Sequence, residues 1–262
     1  RHTRLQGDWS SDVCSSDLSF LSIFLCPLTT ASPRGLAPCS PVPIVLFRWL
    51  TFRMLLGAGL IKLRGDPCWT ELTCLVHHYE TQPNPHPLSW FFHHLPVEAH
   101  KAGVLYNHLV ELVAPWFVFG PRWPRRVAAV LALLFQCLLI SSGNLAYLNW
   151  LTAVIGLSLF DDAMLERLFP RLRAWLAVGD PPTGRPLQLR RAVFAMVVAL
   201  VAWRSVPVVQ NLFFSERQAM NRSYDPLHLV NTYGAFGSVG EERYEAVLQG
   251  TSDDPKIGRA HV

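Results

Sequence analysis

Charge is what this chain has least of. Only 16% of its 262 residues are Asp, Glu, Lys or Arg, against about 25% in a soluble domain, and between Arg126 and Asp161 there is none. That interval, Val127 to Phe160, is 34 residues long. As a single helix it would measure about 51 Å at 1.5 Å per residue, well beyond the roughly 30 Å hydrocarbon core of a bilayer. It must fold back on itself. The helix-breaking cluster Ser141-Ser142-Gly143-Asn144 lies at its middle, so two apolar spans, 127–141 and 145–160, are expected to form a hairpin inside a membrane.

Other absences narrow the function. The six cysteines, Cys14, Cys26, Cys39, Cys68, Cys74 and Cys137, contain no CxxC and no paired metal spacing, which argues against a zinc site. No P-loop, GxSxG, HExxH or Rossmann fingerprint occurs, so no catalytic residue and no cofactor site is assigned. The formal charge is +4, but the arginines gather at the ends of apolar runs and not on one face. Membrane flanks account for them, and nucleic acid is not expected as a partner.

Three further apolar segments accompany the hairpin, at 44–61, 105–119 and 192–213. The fold class expected is an all-α polytopic membrane protein of about five transmembrane helices. Arg122, Arg125 and Arg126 precede the hairpin, and Arg167, Arg171, Arg173, Arg185, Arg190 and Arg191 follow it. Both loops are therefore assigned to the cytoplasmic side. The turn 142–144, the loop 62–104 and everything after Phe213 then share the opposite face.

Some residues are costly where they stand. A charge near the bilayer centre costs at least about 2.5–3.5 kcal/mol on insertion scales and usually finds a partner in the bundle. Glu111 is expected to pair with Arg48 or Arg53, as a structural ion pair or as a catalytic or transport pair. Arg204 is read as reaching the outer headgroups. Six of the ten histidines, His77, His78, His86, His93, His94 and His100, fall in the outer loop. Either they serve a metal or proton-relay site, or they surround an interfacial segment with Trp90, Phe91 and Phe92 at headgroup depth; the second reading needs fewer assumptions. Cys68 and Cys74 form a local disulfide if that face is oxidising, and are two free thiols otherwise. Asn221-Arg222-Ser223 is an N-glycosylation sequon.

The ends are set apart. Residues 8–18 and 257–262 look like translated sequencing-adapter sequence, and residues 19–41, rich in Pro, Ser, Thr and Cys, have no assignable structure. The organisation expected is a flank at 1–41, a multi-pass region at 42–213 with its outer loop at 62–104, a segment at 214–256 on the same face as that loop, and a foreign tail at 257–262. Tyr244, Ala246 and Leu248 alternate with Glu245, Val247 and Gln249, a partial strand pattern. That makes the segment 214–256 β-containing.

An ordered series of blocks resembles the lipase maturation factor family. It begins with Arg48-Trp49-Leu50 and runs through Gly57-Ala58-Gly59-Leu60-Ile61-Lys62-Leu63-Arg64-Gly65-Asp66, Cys68-Trp69 and Leu72-Thr73-Cys74. His78-Tyr79-Glu80-Thr81-Gln82-Pro83, Pro85, His93-His94 and Pro96 follow. Ser142-Gly143-Asn144-Leu145, Leu148-Asn149-Trp150-Leu151-Thr152 and Phe160-Asp161-Asp162 continue it, and Asn231 to Val239, Glu242-Arg243 and Leu248 to Thr251 close it. The resemblance implies a multi-pass protein of the endoplasmic reticulum membrane, or of the inner membrane in a bacterium. It further implies a chaperone-like, non-enzymatic role in the folding, assembly and secretion of dimeric lipases. Secreted lipases would be the clients, and His78, Tyr79, Glu80, Trp90, Phe91 and Phe92 the candidate client-binding loop. It also implies that the chain is a fragment, since the family carries earlier membrane sequence and a longer lumenal domain, of which the β-containing segment 214–256 would be the truncated start. Two alternatives stay open: a membrane-embedded enzyme related to vitamin K-dependent carboxylases, from the look of Gly57 to Lys62, and a small transporter, from Glu111 and the intramembrane arginines.

Overall fold

The computed structural model describes residues 6–25, 40–145, 147–171 and 185–242. They form α1 (Gln6–Ser22), α2 (Pro41–Arg64), α3 (Cys74–Thr81), α4 (Ser89–His93), α5 (Val97–His108), α6 (Arg122–Ser142), α7 (Leu148–Gly156), α8 (Asp162–Leu168) and α9 (Arg185–Phe213). No strand occurs among the described residues, and the expected strand at 244–249 lies outside them.

Helix α2 is the axis of the bundle. Pro41 stands in its first turn, where a missing N–H costs nothing, and the Ser40 hydroxyl accepts from Val42 N at 3.3 Å. In its apolar window 61% of residues are buried, against 22% for α9. The first helix is wrapped by the others; the second lays one face on the bundle and presents the rest outward. Leu46, Leu50 and Met54 of α2 meet Val197, Val201, Val208 and Leu212 of α9 in the main core. Leu189, Met196 and Trp203 of α9 remain exposed, as lipid-facing residues do.

Five spans were expected, but among the described residues three helices are long and apolar enough to cross a membrane: Pro41–Arg64, Arg122–Ser142 and Leu187–Phe213. A fourth is gained only if Leu148–Leu159 and Asp162–Leu168, bent by 113°, count as one. The segment 105–119 fails for a physical reason. Pro115 lacks an N–H and its ring crowds the carbonyl four residues back, and the chain changes from α5 into a π turn at Leu109–Val113 and a 3-10 turn at Ala114–Phe117. The hairpin arms are also unequal. Helix α6 starts at Arg122, ahead of the charge-free interval, whereas α7 stops at Gly156 and Asp161 caps α8 by accepting from Met164 N.

The two ends of the bundle differ in chemistry. At one, Arg48 Nε donates to the Ser158 carbonyl at 3.2 Å, Arg125 Nε to the Leu159 carbonyl at 3.0 Å, and Arg126 pairs with Asp161 at 2.6 Å. At the other, Asn144 N donates to the Asn84 carbonyl at 3.0 Å, and Gln82 Nε2 and Ser89 Oγ both donate to the Ser142 carbonyl. The tail joins this second end: Asp66 N donates to the Gly237 carbonyl at 2.8 Å and Trp69 Nε1 to the Phe236 carbonyl at 2.8 Å. Residues 214–242 thus make no layer of their own; they run back along the last turns of α2 and cap the bundle.

Residues 8–18, set apart on their adapter-like sequence, fall within α1. Cys14, Asp17, Leu18 and Leu21 recur at the spacing of one helix face, and Cys14, Asp17 and Leu21 are buried against the bundle. Resemblance to an adapter and an apolar stripe are separate properties of the same residues. The closing residues 257–262 lie outside those described.

Candidate functional site: a chamber at the capped end

The last turns of α2 carry Lys62, and the π turn after α5 carries Glu111. Lys62 Nζ lies 2.6 Å from both Glu111 carboxylate oxygens and 2.8 Å from Asn107 Oδ1. Asn107 Nδ2 in turn donates to Glu111 Oε2 at 3.1 Å. Asn107 precedes Glu111 by four residues, so both stand on one face. The ammonium sits 4.9 Å from the centre of the Trp69 ring. All three polar residues are buried.

These groups form one wall of a cavity of about 290 Å³. Leu75, Tyr79, Phe92, Phe135 and Leu139 are among its apolar walls, and Gln136 and Asn149 add side-chain amides. Gly234, Ala235 and Phe236 of the tail close it from above. Helices α2, α3, α5, α6 and α7 and the tail therefore all contribute to one chamber.

The expected partners of Glu111 are replaced. Arg48 is turned to the Ser158 carbonyl at the opposite end, and Arg53 donates to the Asn231 carbonyl at 2.8 Å and to Asp17 at 3.0 Å. Lys62 wins because Glu111 is packed beside the α2 segment around Gly59, where Leu112 and Glu111 approach the missing side chain. Arg53 stands more than two turns below Lys62 on the same helix, too far for the same carboxylate. Sequence reading took Lys62 as a span boundary and missed it, together with Asn107 and Gln136. The four-residue step from Asn107 to Glu111 was the available signal.

The client-loop candidates divide. Trp90 and Phe91 point outward at 62% and 60% exposure, and Glu80 is exposed as well. His78, Tyr79 and Phe92 turn inward and line the chamber. Burial, reinforced by the Lys62 charge, holds the His78 imidazole down to about 4, and burial pushes the Tyr79 hydroxyl up to about 12. Glu80 lies 3.6 Å from His77 and 3.5 Å from His93. Among the described residues no three His, Cys, Asp or Glu side chains converge to hold a metal ion. Cys68 and Cys74 are joined as a disulfide. Asn221 is half-buried at positive φ, its Nδ2 donating to the Gly234 carbonyl at 3.0 Å, so its amide is engaged within the tail.

Residues 8–167 match the family described as Lipase maturation factor transmembrane domain. The chain is 48% identical to Lipase maturation factor 1 of Homo sapiens over 257 residues, covering 93% of this chain and 45% of the relative. It is 49% identical to Lipase maturation factor 1 of Bos taurus over 258 residues, with the same coverage of 93% and 45%. Against Lipase maturation factor 2 of Homo sapiens it is 39% identical over 160 residues, covering 57% of this chain and 23% of the relative. The chain thus spans somewhat less than half the length of the first-branch relatives it matches. No solved structure matches it.

Proposed function

Because the chain belongs to the lipase maturation factor family, we propose that it is a membrane-embedded factor of the endoplasmic reticulum that assists folding and assembly of secreted dimeric lipases. The observation that supports this most is likeness over 93% of the chain to proteins named for lipase maturation. The segregation of the two bundle ends adds a physical argument for orientation. Arg48, Arg122, Arg125 and Arg126 belong to the end assigned to the cytosol. The disulfide loop, the aromatic pair and the tail belong to the end assigned to the lumen, where thiols are oxidised and clients fold.

On that reading Trp90 and Phe91 are the client-contacting side chains. They are adjacent, exposed and aromatic, the type that dominates binding surfaces. The inward group, His78, Tyr79 and Phe92, supports the loop from below. The role is non-catalytic, and Lys62 with Glu111 holds α2 against the α5 extension.

The test is to express the chain, and the longer gene it matches, with a dimeric lipase in cells lacking the factor, and to measure secreted active enzyme. A gain over empty vector is expected from the longer gene, reduced by Trp90→Ser with Phe91→Ser while insertion is unchanged. No gain from either would overturn the lipase role. Tags at 122–126 and beside Asn84 report orientation separately: selective permeabilisation of the plasma membrane should expose the first and protect the second.

A further inference from the structure

We infer that the chamber beneath the tail binds a neutral lipid, one with an uncharged hydroxyl head on an apolar body. Its volume, about 290 Å³, lies just under the lower end of ordinary small-molecule sites, roughly 300–1,000 Å³. The lining selects the ligand in three steps.

The polar wall excludes an anion. An ammonium has three donors, and Lys62 Nζ faces three acceptors of its own protein: Glu111 Oε1, Glu111 Oε2 and Asn107 Oδ1. None is left to receive a carboxylate or phosphate. Lys62 and Glu111 cancel in charge, so an incoming anion would meet a buried carboxylate without a free cation.

The same wall asks for a donor. Gln136 is only 4% exposed, lines the chamber, and its Oε1 has no hydrogen-bond partner. Buried acceptors are normally paired. A hydroxyl hydrogen on the ligand satisfies it without bringing charge.

The rest of the chamber supplies the apolar complement. Phe135, Leu138, Leu139, Leu145 and Leu148 line it, and Leu138 is also 44% exposed on the flank of α6. Leu95, 45% exposed, and Ala99 are exposed lining residues on the outer side as well, so the proposed route for a ligand from the bilayer is past Leu138, with its chain along α6 and its head toward Gln136. This inference does not depend on the lipase role; it depends on the bundle lying in a membrane.

The purified chain in nanodiscs, labelled with a photoreactive monoacylglycerol, tests it. Labelling should map to the Phe135–Leu148 segment. Monoolein or cholesterol should compete at concentrations about tenfold below those of oleate or phosphatidylserine, a difference of about 1.4 kcal/mol. Whichever of monoolein and cholesterol competes identifies the source of the hydroxyl. Gln136→Met should weaken labelling about tenfold, and filling the chamber with Leu139→Trp, or with Ala99→Trp should the first not fold, should abolish it. Oleate competing as well as monoolein, or labelling that persists in a folded, filled variant, would overturn the proposal and place the lipid on the outer surface.

Discussion

Lys62 and Glu111 are in direct contact at 2.6 Å, with both side chains nearly inaccessible, and Asn107 hydrogen-bonds to both. The pair joins the outer end of α2 to the one place where α5 loses its α-helical pitch. Five residues in a π turn followed by a 3-10 turn at Pro115 make a poor membrane span. The ion pair gives that irregular backbone a fixed neighbour, and π turns are frequent at functional sites.

Removing one partner leaves a buried charge unpaired, which typically costs about 3–5 kcal/mol. Glu111→Leu should therefore lower the melting temperature and folded yield far more than Glu98→Leu, whose parent side chain is exposed. Lys62→Met combined with Glu111→Leu should recover much of the loss, because neither charge remains to be desolvated. Thermal melting of the four proteins in one detergent decides it; equal loss from Glu111→Leu and Glu98→Leu would remove the pair from any stabilising role.

How much of this was legible in the sequence depends on the range of the interaction. The span at α2 and the turn at Gly143 follow from local apolarity and breakers, and the structure has both. The segment 105–119 looked equally apolar, but hydropathy carries no record that Pro115 and Glu111 act on the same helical turn. Lys62 at a helix end is normally read as a snorkelling flank; that it turns inward depends on Glu111, 49 residues away. The sequon at Asn221 was visible, while the engagement of its amide by Gly234 depends on how the tail folds. The docking of the tail on α2 had no local signature except the glycines that permit it.

His78 gives the chain a one-sided acid sensitivity. Its imidazole titrates at about 4 against an ordinary 6.5, because protonation inside the chamber opposes burial and the Lys62 charge. The unfolded chain takes up the proton first as pH falls. The stability due to neutral His78 is complete above about pH 6.5 and is lost between there and about pH 4, to the extent of about 3 kcal/mol at 1.36 kcal/mol per unit. Melting curves from pH 7.5 to 4.5 should show this slope, and His78→Phe, beside the Phe236 ring at 5.2 Å, should flatten it. An unchanged slope in that variant would assign the acid sensitivity elsewhere.

The Cys68–Cys74 disulfide closes a short loop that sets Trp69 beneath the Lys62 ammonium. Chain-entropy arithmetic for so small a ring gives about 2 kcal/mol. Cys68→Ser with Cys74→Ser should lower stability by that order, and dithiothreitol should do the same to the parent chain without further effect on the double variant. Cys137→Ser, at an exposed free thiol, serves as the control and should be silent.

Gly57 holds the tail against α2. A Cβ built there meets the Tyr233 carbonyl oxygen at 2.5 Å, a backbone atom that cannot swing aside, with Leu212 Cδ2 at 3.5 Å. At Gly156 the nearest atom is the flexible Leu133 Cδ2 at 3.8 Å, an ordinary contact. The same substitution should therefore act in opposite directions. Gly156→Ala should be neutral or stabilising by up to about 1 kcal/mol, from helix propensity. Gly57→Ala should cost about 1–3 kcal/mol through overpacking and, more tellingly, should lift residues 218–239 away from the bundle. Arg217 and Arg222 flank the docked turn and are exposed, so limited trypsin digestion reads the difference. Cleavage there should be slow in the parent and in Gly156→Ala, and faster in Gly57→Ala. Equal protection in all three would show that the tail is held by something other than its approach to Gly57.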